Sequence, residues 1–428
     1  MFLQAKQFIY WLYILKWFLL SVLIGIPIGA ASTFFLYSLD YVTELREKNL
    51  GIIALLPLGG LIIGFLYHYW GRDVAKGNNQ ILEEFHAPQK RIPFKMAPLI
   101  LVGTLLTHLF GGSAGREGTA VQIGGAIADQ FSYLFRLRPR DRKLILVMGI
   151  SAGFASVFGT PLAGSIFALE VLIIGRMRYE ALIPSFFCAI VAYLTAEFLG
   201  VHHTHYTVAF QAPNALNLLI AILCGIAFGL TAKFFSYATH FWQNIFSQRI
   251  AYPPLRPLVG GIFLLLAITV IGNNRYVGLG IPIIQEAFIK PLPFYDFVAK
   301  VLFTSFTLGC GFKGGEVTPL FFIGATLGSA LSSVCNLPTS LCAAMGFVSV
   351  FAGASNTPIA CLVMGIEIFG IQTGIYLALA CITAYLFSGH SGIYTAQIIG
   401  SPKHLLFGKN KGKTLHEITT KEVIDKKA

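Results

Sequence analysis

Long apolar runs separated by short polar breaks occupy nearly the whole chain. The runs at 9–39, 52–70, 97–110, 215–235 and 255–271 are read as helices able to cross a bilayer whose apolar core is roughly 30 Å thick. Others are short for a full crossing. The shortest, residues 78–85, stops at the polar stretch HAPQKR and predicts a helix that covers only part of the membrane. In the middle of this apolar pattern, two glycine-rich segments each carry a glutamate: GGSAGREGTAVQIGG at 111–125 and GFKGGEVTPLFFIGA at 311–325. A carboxylate in an apolar setting is expensive, so its recurrence asks for a reason.

Composition agrees with the pattern. Of 428 residues, 55% are hydrophobic and 12% charged, and the mean hydropathy is +0.71. Soluble domains carry about twice that charged fraction. The expected fold is an all-α polytopic membrane protein with one membrane domain at 1–402. Residues 403–428 turn polar and Lys-rich and read as a solvated cytoplasmic tail. The apolar region at the start runs on too far for a cleaved signal and reads as a retained first helix. A net charge of +12 fits membrane topology and surface charge, with no nucleic-acid partner. The seven cysteines are scattered with no CxxC pair, which argues for small buried hydrophobes and against a disulfide or metal role.

The two glycine-rich segments belong to a longer internal match. Gly77, Ile81, Glu83 and Phe85 lie at the spacing of Gly280, Ile284, Glu286 and Phe288. Gly115, Glu117, Thr119, Gly125 and Ala126 match Gly314, Glu316, Thr318, Gly324 and Ala325. Residues 148–170 match 345–367 at Met-Gly, Phe-Ala, Thr-Pro and a final Glu, and the offset drifts only from 203 to 199 to 197. The chain therefore divides into repeats at approximately 8–200 and 214–400. The loop RLRPRDRK at 136–143 has five basic residues and one acid, whereas its counterpart SSVCNLPTS at 332–340 has no charge. By the positive-inside rule the first loop is cytoplasmic and the second external, which makes the repeat inverted. Inverted repeats belong to transporters with a substrate site near mid-membrane. Parallel repeats predict similar charge in the two loops.

Helices that begin within the membrane must satisfy their free N–H groups. Irregular backbone at that depth is tolerated where it lines a cavity. Thr160-Pro161 and Thr318-Pro319 read as such helix starts, with proline in the first turn and threonine as cap. An anion is the natural partner of a helix start, and glycine lets the backbone come close to it. Glu117 fits this setting as a tethered anion that competes with a mobile one and exchanges a proton. The plainer reading is a salt bridge with Arg116, although neighbours on a helix point in different directions.

The chain resembles the CLC anion channel and transporter family over nearly its whole length. GREGT at 115–119 looks like the family's gating-glutamate motif, GGEVTP at 314–319 lies where chloride members carry Gly-x-Phe-x-Pro, and Tyr394 in SGIYTAQII looks like the central tyrosine. The resemblance implies a homodimer with one pore per subunit and no cofactor. It also implies anion-binding helix ends drawn from Gly77, Asn78, Asn79, Gly115, Arg116, Gly118, Thr119, Gly314, Gly315, Val317, Thr318 and Tyr394. Three departures point within the family. GNNQI, with Asn78, replaces the central-serine motif; Val317 replaces the motif phenylalanine; and the inner proton-relay glutamate is Val171. Together they are similar to the fluoride-exporting branch.

That resemblance implies a proton-coupled fluoride antiporter in a bacterial plasma membrane, with Glu117 gating and Glu316 sharing the proton coupling. A chloride/proton antiporter or chloride channel of the same family is the alternative. Fluoride holds its water tightly and needs compact donors, for which the amides of Asn78 or Asn79 and the Thr318 hydroxyl suit better than a phenyl ring. The plain reading of the asparagines is a turn before a helix. An intramembrane enzyme would need a nucleophile or metal ligands near Glu117, and the sequence offers no matching set. Cation transport conflicts with helix starts that repel cations. Glu170 and Glu367 read as structural helix-end residues. Lys313 reads equally as an anion attractor or a snorkelling lysine, and HHTHY at 202–206 as a solvated loop between the halves.

Overall fold

The computed structural model describes residues 2–204 and 206–418. The first half comprises α1 (Phe2–Lys48), α2 (Leu56–Tyr69), α3 (Asn78–His86), α4 (Met96–Leu109), α5 (Glu117–Leu134), α6 (Pro139–Phe158), α7 (Pro161–Glu170) and α8 (Leu182–Phe198). The second comprises α9 (Ala215–Arg249), α10 (Leu255–Ile271), α11 (Ile281–Ile289), α12 (Tyr295–Gly309), α13 (Val317–Leu331), α14 (Thr339–Ser355), α15 (Pro358–Phe369) and α16 (Gly374–Phe387). The helix lengths repeat: α3 and α11 are each nine residues, and α7 and α15 are ten and twelve. Among the described residues, four apolar helical stretches are long enough to cross a bilayer by themselves: Trp11–Lys48, Leu50–Tyr69, Tyr179–Phe198 and Ala215–Arg249. The remaining apolar helices are shorter. The protein is a helical, multi-pass membrane protein with several broken crossings.

Small residues let the short helices pack with backbones nearly touching. A Cβ built on Gly149 in α6 would lie 2.6 Å from the carbonyl oxygen of Gly124 in α5, and its counterpart Gly346 in α14 meets the carbonyl of Gly324 in α13 in the same way. The central helices α5, α6, α13 and α14 are therefore buried almost throughout.

The relation between the halves is visible in one reciprocal contact. Glu170, the last residue of α7, accepts hydrogen bonds from the first-turn N–H groups of Ile359 (3.2 Å) and Ala360 (2.9 Å) in α15. Glu367, near the end of α15, accepts those of Leu162 (3.0 Å) and Ala163 (2.8 Å) in α7. Each helix thus ends on the start of the other, which requires α7 and α15 to run antiparallel. A parallel repeat would align them. The repeats are inverted, as the loop charge predicts.

Two details differ from the sequence reading. Neither expected threonine caps its helix: Thr160 makes no side-chain cap and Thr318 lies inside the first turn of α13, and glutamates supply the acceptors at both starts. The segment following Lys403 is also not simply solvated. Leu415 and Ile418 join Ile174 and Ile399 in a small apolar cluster, beside a two-residue parallel pairing of β1 (Ile173–Ile174) with β2 (Ile398–Ile399). Two apolar residues three apart suffice to dock a stretch whose average composition is polar. Residues 419–428 of the expected tail lie outside the described residues.

Replacing Glu170 with alanine removes two charge-assisted hydrogen bonds and leaves the α15 start unsatisfied, a loss of about 2 kcal/mol. The expected outcome is a lower apparent melting temperature in detergent, with Glu170→Gln intermediate. Equal melting of Glu170→Ala and the unaltered protein would show that the contact contributes nothing.

Candidate functional site

The two glycine-rich segments are in contact. Gly115 and Gly315 form an isolated antiparallel bridge: Gly115 N donates to Gly315 O at 2.6 Å, and Gly315 N to Gly115 O at 2.8 Å. Only glycine allows this approach. A Cβ on Gly315 would sit 2.7 Å from the Gly118 nitrogen, and one on Gly118 would sit 3.0 Å from both the Gly315 Cα and the Asn78 Nδ2. The bridge sets the starts of α5 and α13 side by side, with Glu117 as the first residue of α5 and Glu316 just before α13.

Glu117 is 1% exposed. Its Oε2 accepts from Thr318 N at 3.0 Å and from Arg116 N at 3.1 Å, and its Oε1 accepts from the Thr318 hydroxyl. The carboxylate of one half therefore occupies the start of α13 in the other, where backbone N–H groups and the helix dipole favour an anion. Arg116 does lie close, with Nε 3.6 Å from Glu117 Oε1, but that distance is an ionic contact and not a hydrogen bond. The salt bridge is thus a minor partner beside the Thr318 contacts.

Below this carboxylate lies a cavity of about 600 Å³. It opens toward the end of the molecule that carries the basic loop, because α3 runs from the cavity to Glu84, which pairs with Arg142 at 3.1 Å. Gly77, with φ +56, turns the chain into α3, and Asn78, Asn79, Gln122, Lys313, Gly314, Glu316 and Tyr394 line the wall. Asn78 sends Nδ2 toward Gly118, while its Oδ1 is buried without a hydrogen-bond partner in the protein. Glu316 lies on the cavity side of Gly118, with Oε2 3.8 Å from where a Cβ there would be. Tyr394 is 4% exposed and contacts Phe167 edge-on at 6.3 Å.

Most of the residues expected at the site converge here. Others serve differently. Asn79 has its carbonyl oxygen engaged by Ala396 N at 3.0 Å and so braces the segment that carries Tyr394. Thr119 pairs with Thr104 at 2.7 Å in the packed interface with α4. Val317 is 1% exposed and packs into the apolar core, leaving only its backbone at the helix start. The start of α7 at Thr160-Pro161 is occupied by Glu367 and lies apart from the site. Lys313 lines the cavity with Nζ 4.1 Å from the centre of the Tyr67 ring, so it neither snorkels to a surface nor pairs with a carboxylate. Sequence reasoning missed Gln122, whose Nε2 donates to Gly118 O at 3.2 Å and whose side chain abuts Gly77. A lone amide one turn into an apolar helix was the available signal.

A second, smaller cavity of about 210 Å³ lies at the opposite end, where α6 finishes. It is lined by Tyr37 and Asp40 of α1, Arg116, Val157, and the linker residues Gly200 to His203. The linker is solvated in part, with His202 exposed, but it is also anchored. Val201 packs with Leu36, Ala120 and Val157; Tyr206 sits among Phe288, Phe347 and Phe369; and Ala209 N donates to Ser340 Oγ at 3.0 Å. Val201 and Tyr206, on either side of the histidine run, hold it down. His205 lies outside the described residues.

A family model described as "Voltage gated chloride channel" matches residues 59–389. A "Chloride/fluoride channel protein" of Pseudomonas syringae pv. tomato is 51% identical over 399 residues, covering 92% of this chain and 88% of its own. Among solved structures, a CLC-type fluoride/proton antiporter superposes with a TM-score of 0.87 at 36% identity, covering 89% of this chain and 97% of its own. A slow cyanobacterial Cl⁻/H⁺ antiporter shares the fold, with a TM-score of 0.76 at 18% identity, covering 96% and 98%.

Introducing a methyl group at Gly315 forces the two backbone segments apart at the point where they must touch. Gly315→Ala is expected to lower ion flux in proteoliposomes about a hundredfold, since misplacements near 1 Å have that cost. Full flux in a protein that elutes normally would contradict the geometry.

Proposed function

The chain belongs to the voltage-gated chloride channel family, CLC, and on that premise we propose that it is a proton-coupled fluoride antiporter that exports fluoride from the bacterial cytoplasm. The observation that carries the proposal is the Glu117 carboxylate lodged on the Thr318 N–H and hydroxyl at the start of α13. A site built of these donors accepts a small anion equally well. While ionised, Glu117 fills the site. Protonation removes its charge, frees the Thr318 donors, and lets an ion arrive from the larger cavity. The positive-inside rule assigns that cavity to the cytoplasm, because the 136–143 loop lies at the same end.

Asn78 Nδ2, the Gln122 amide and the Thr318 hydroxyl are the compact donors that replace fluoride's water. Glu316, beside Asn78 on the cavity side, shares a proton with Glu117 through the site and takes the place of the inner relay group at Val171. Fluoride enters acidified surroundings as neutral HF and is trapped on ionising inside, so export driven by inward proton flow serves the cell. The working unit is a homodimer in the plasma membrane. The Pseudomonas relative, a chloride/fluoride channel protein, favours a second reading: passive conduction, or chloride as the ion.

Reconstituted vesicles separate the readings. Fluoride flux should move protons in the opposite direction, and chloride substitution should slow it; flux with no proton movement indicates a channel. Glu117→Gln and Glu316→Gln should each abolish coupling, and undiminished coupling in both excludes this mechanism. Thr318→Val or Asn78→Ser should reduce the fluoride-over-chloride preference about tenfold, the effect of one lost buried hydrogen bond. An unchanged ratio would locate selectivity elsewhere.

A further inference from the structure

The proposed mechanism needs protons to reach a Glu117 that is 1% exposed. On the side away from the larger cavity, the smaller cavity reaches Arg116, whose Nε is 3.6 Å from Glu117 Oε1. Arg116, next to Glu117 in the chain, forms part of that wall, with its Nε buried and without a hydrogen-bond partner. Val201 packs on Ala120, in the first turn of the helix that Glu117 begins, so the linker lies directly over this helix start.

The linker is fixed there from several directions. Tyr37 of α1 donates to Leu199 O at 3.0 Å. The ring of His203 rests on Gly159, where no side chain could stand, and stacks at 6.1 Å on Tyr193. These contacts hold His202 at the cavity, together with Asp40 from α1. Both residues are exposed at the rim, while the Arg116 side chain is 18% exposed. The titratable and charged groups facing the space are therefore Tyr37 and Asp40 from α1, Arg116 from the turn before α5, and His202 and His203 from the linker; α6 contributes only Val157.

A fixed guanidinium on this route repels free hydronium. Free hydronium is therefore scarce in this space, and proton supply depends on side chains that collect protons at its mouth. Imidazole is the side chain whose ordinary protonation range spans neutral pH, and the Asp40 carboxylate on the lining of the same cavity offers a second acceptor. We infer that His202 and Asp40 form a proton-relay site at the external mouth, passing protons between solution and Glu117 through the cavity bounded by Arg116. The inference rests on the proton-coupled reading. In each transfer a proton leaves the His202 imidazolium or the Asp40 carboxylic acid, crosses water in the cavity, and arrives on the Glu117 carboxylate, and the donor is then reprotonated from solution. Neither His202 nor Asp40 touches the anion, so both act through Glu117.

The test is the pH profile of proton-coupled fluoride flux in proteoliposomes, with equal pH on both sides from 5 to 8, so that insertion direction does not matter. The His202→Gln, Asp40→Asn double variant should lose about tenfold in rate above pH 7 and regain the original rate near pH 5, where hydronium is abundant enough to substitute. Its fluoride-to-proton ratio should not change. His202→Arg, which keeps a positive charge but holds its proton, should behave as His202→Gln does. A rate reduced equally at every pH, a profile that does not move, or full rescue by His202→Arg would overturn the relay. Flux without proton movement in the unaltered protein would instead defeat the antiport reading, and the relay with it.

Discussion

A helix that starts inside a bilayer presents N–H groups that water cannot reach, and something negative has to answer them. Here the answers are carboxylates. Glu367 and Glu170 meet the starts of α7 and α15, and Glu117 meets the start of α13. The chemistry is the same in the three places, but the tethers differ. Glu170 and Glu367 project from helix ends that are themselves packed in place. Glu117 follows a glycine-lined turn, and in the proposed mechanism a small anion competes for its position. On that mechanism a structural cap and a competitive gate are the same interaction.

The scaffold is symmetric and its contents are not. Gly77 and Gly280 turn the chain into the equivalent helices α3 and α11, yet α3 opens with Asn78 and α11 with Ile281. Where the first half leaves a cavity beside its turn, the second is filled. Lys300 is fully buried there, with Nζ donating to the carbonyls of Tyr276 at 3.0 Å and Gly278 at 2.8 Å. Nearby, Arg46 donates to the carbonyl of His108 at 2.8 Å. The two halves therefore differ most where their folds match.

Much of this was legible in the residues. Hydropathy located the helices, the matched spacings located the repeat, and the charge of one loop against its counterpart gave the inversion. The matched glycine-glutamate segments meet at the Gly115–Gly315 bridge, as a site shared between the halves requires. What escaped was whatever depends on a third dimension without a period. Gln122 is one polar residue in an apolar helix, and nothing in its spacing says that it faces Gly77. The acceptors at the start of α7 come from 204 and 205 residues away, so the local Thr-Pro signature pointed to the wrong cap. The linker's anchoring was missed because polarity was averaged over a stretch that Val201 and Tyr206 hold in place. Leu415 and Ile418 were hidden the same way.

The exchange of acceptors between α7 and α15 has a bearing on ancestry. Either half by itself would carry a glutamate with no helix start to receive it and a helix start with no glutamate. An upside-down copy of the same half supplies both. A single half-length polypeptide inserted in both orientations would have satisfied itself by pairing, and joining two such copies end to end preserves every contact while freeing each to diverge. The asparagines of one half and the buried lysine of the other are the kind of change that only a fused, no longer interchangeable, pair can keep.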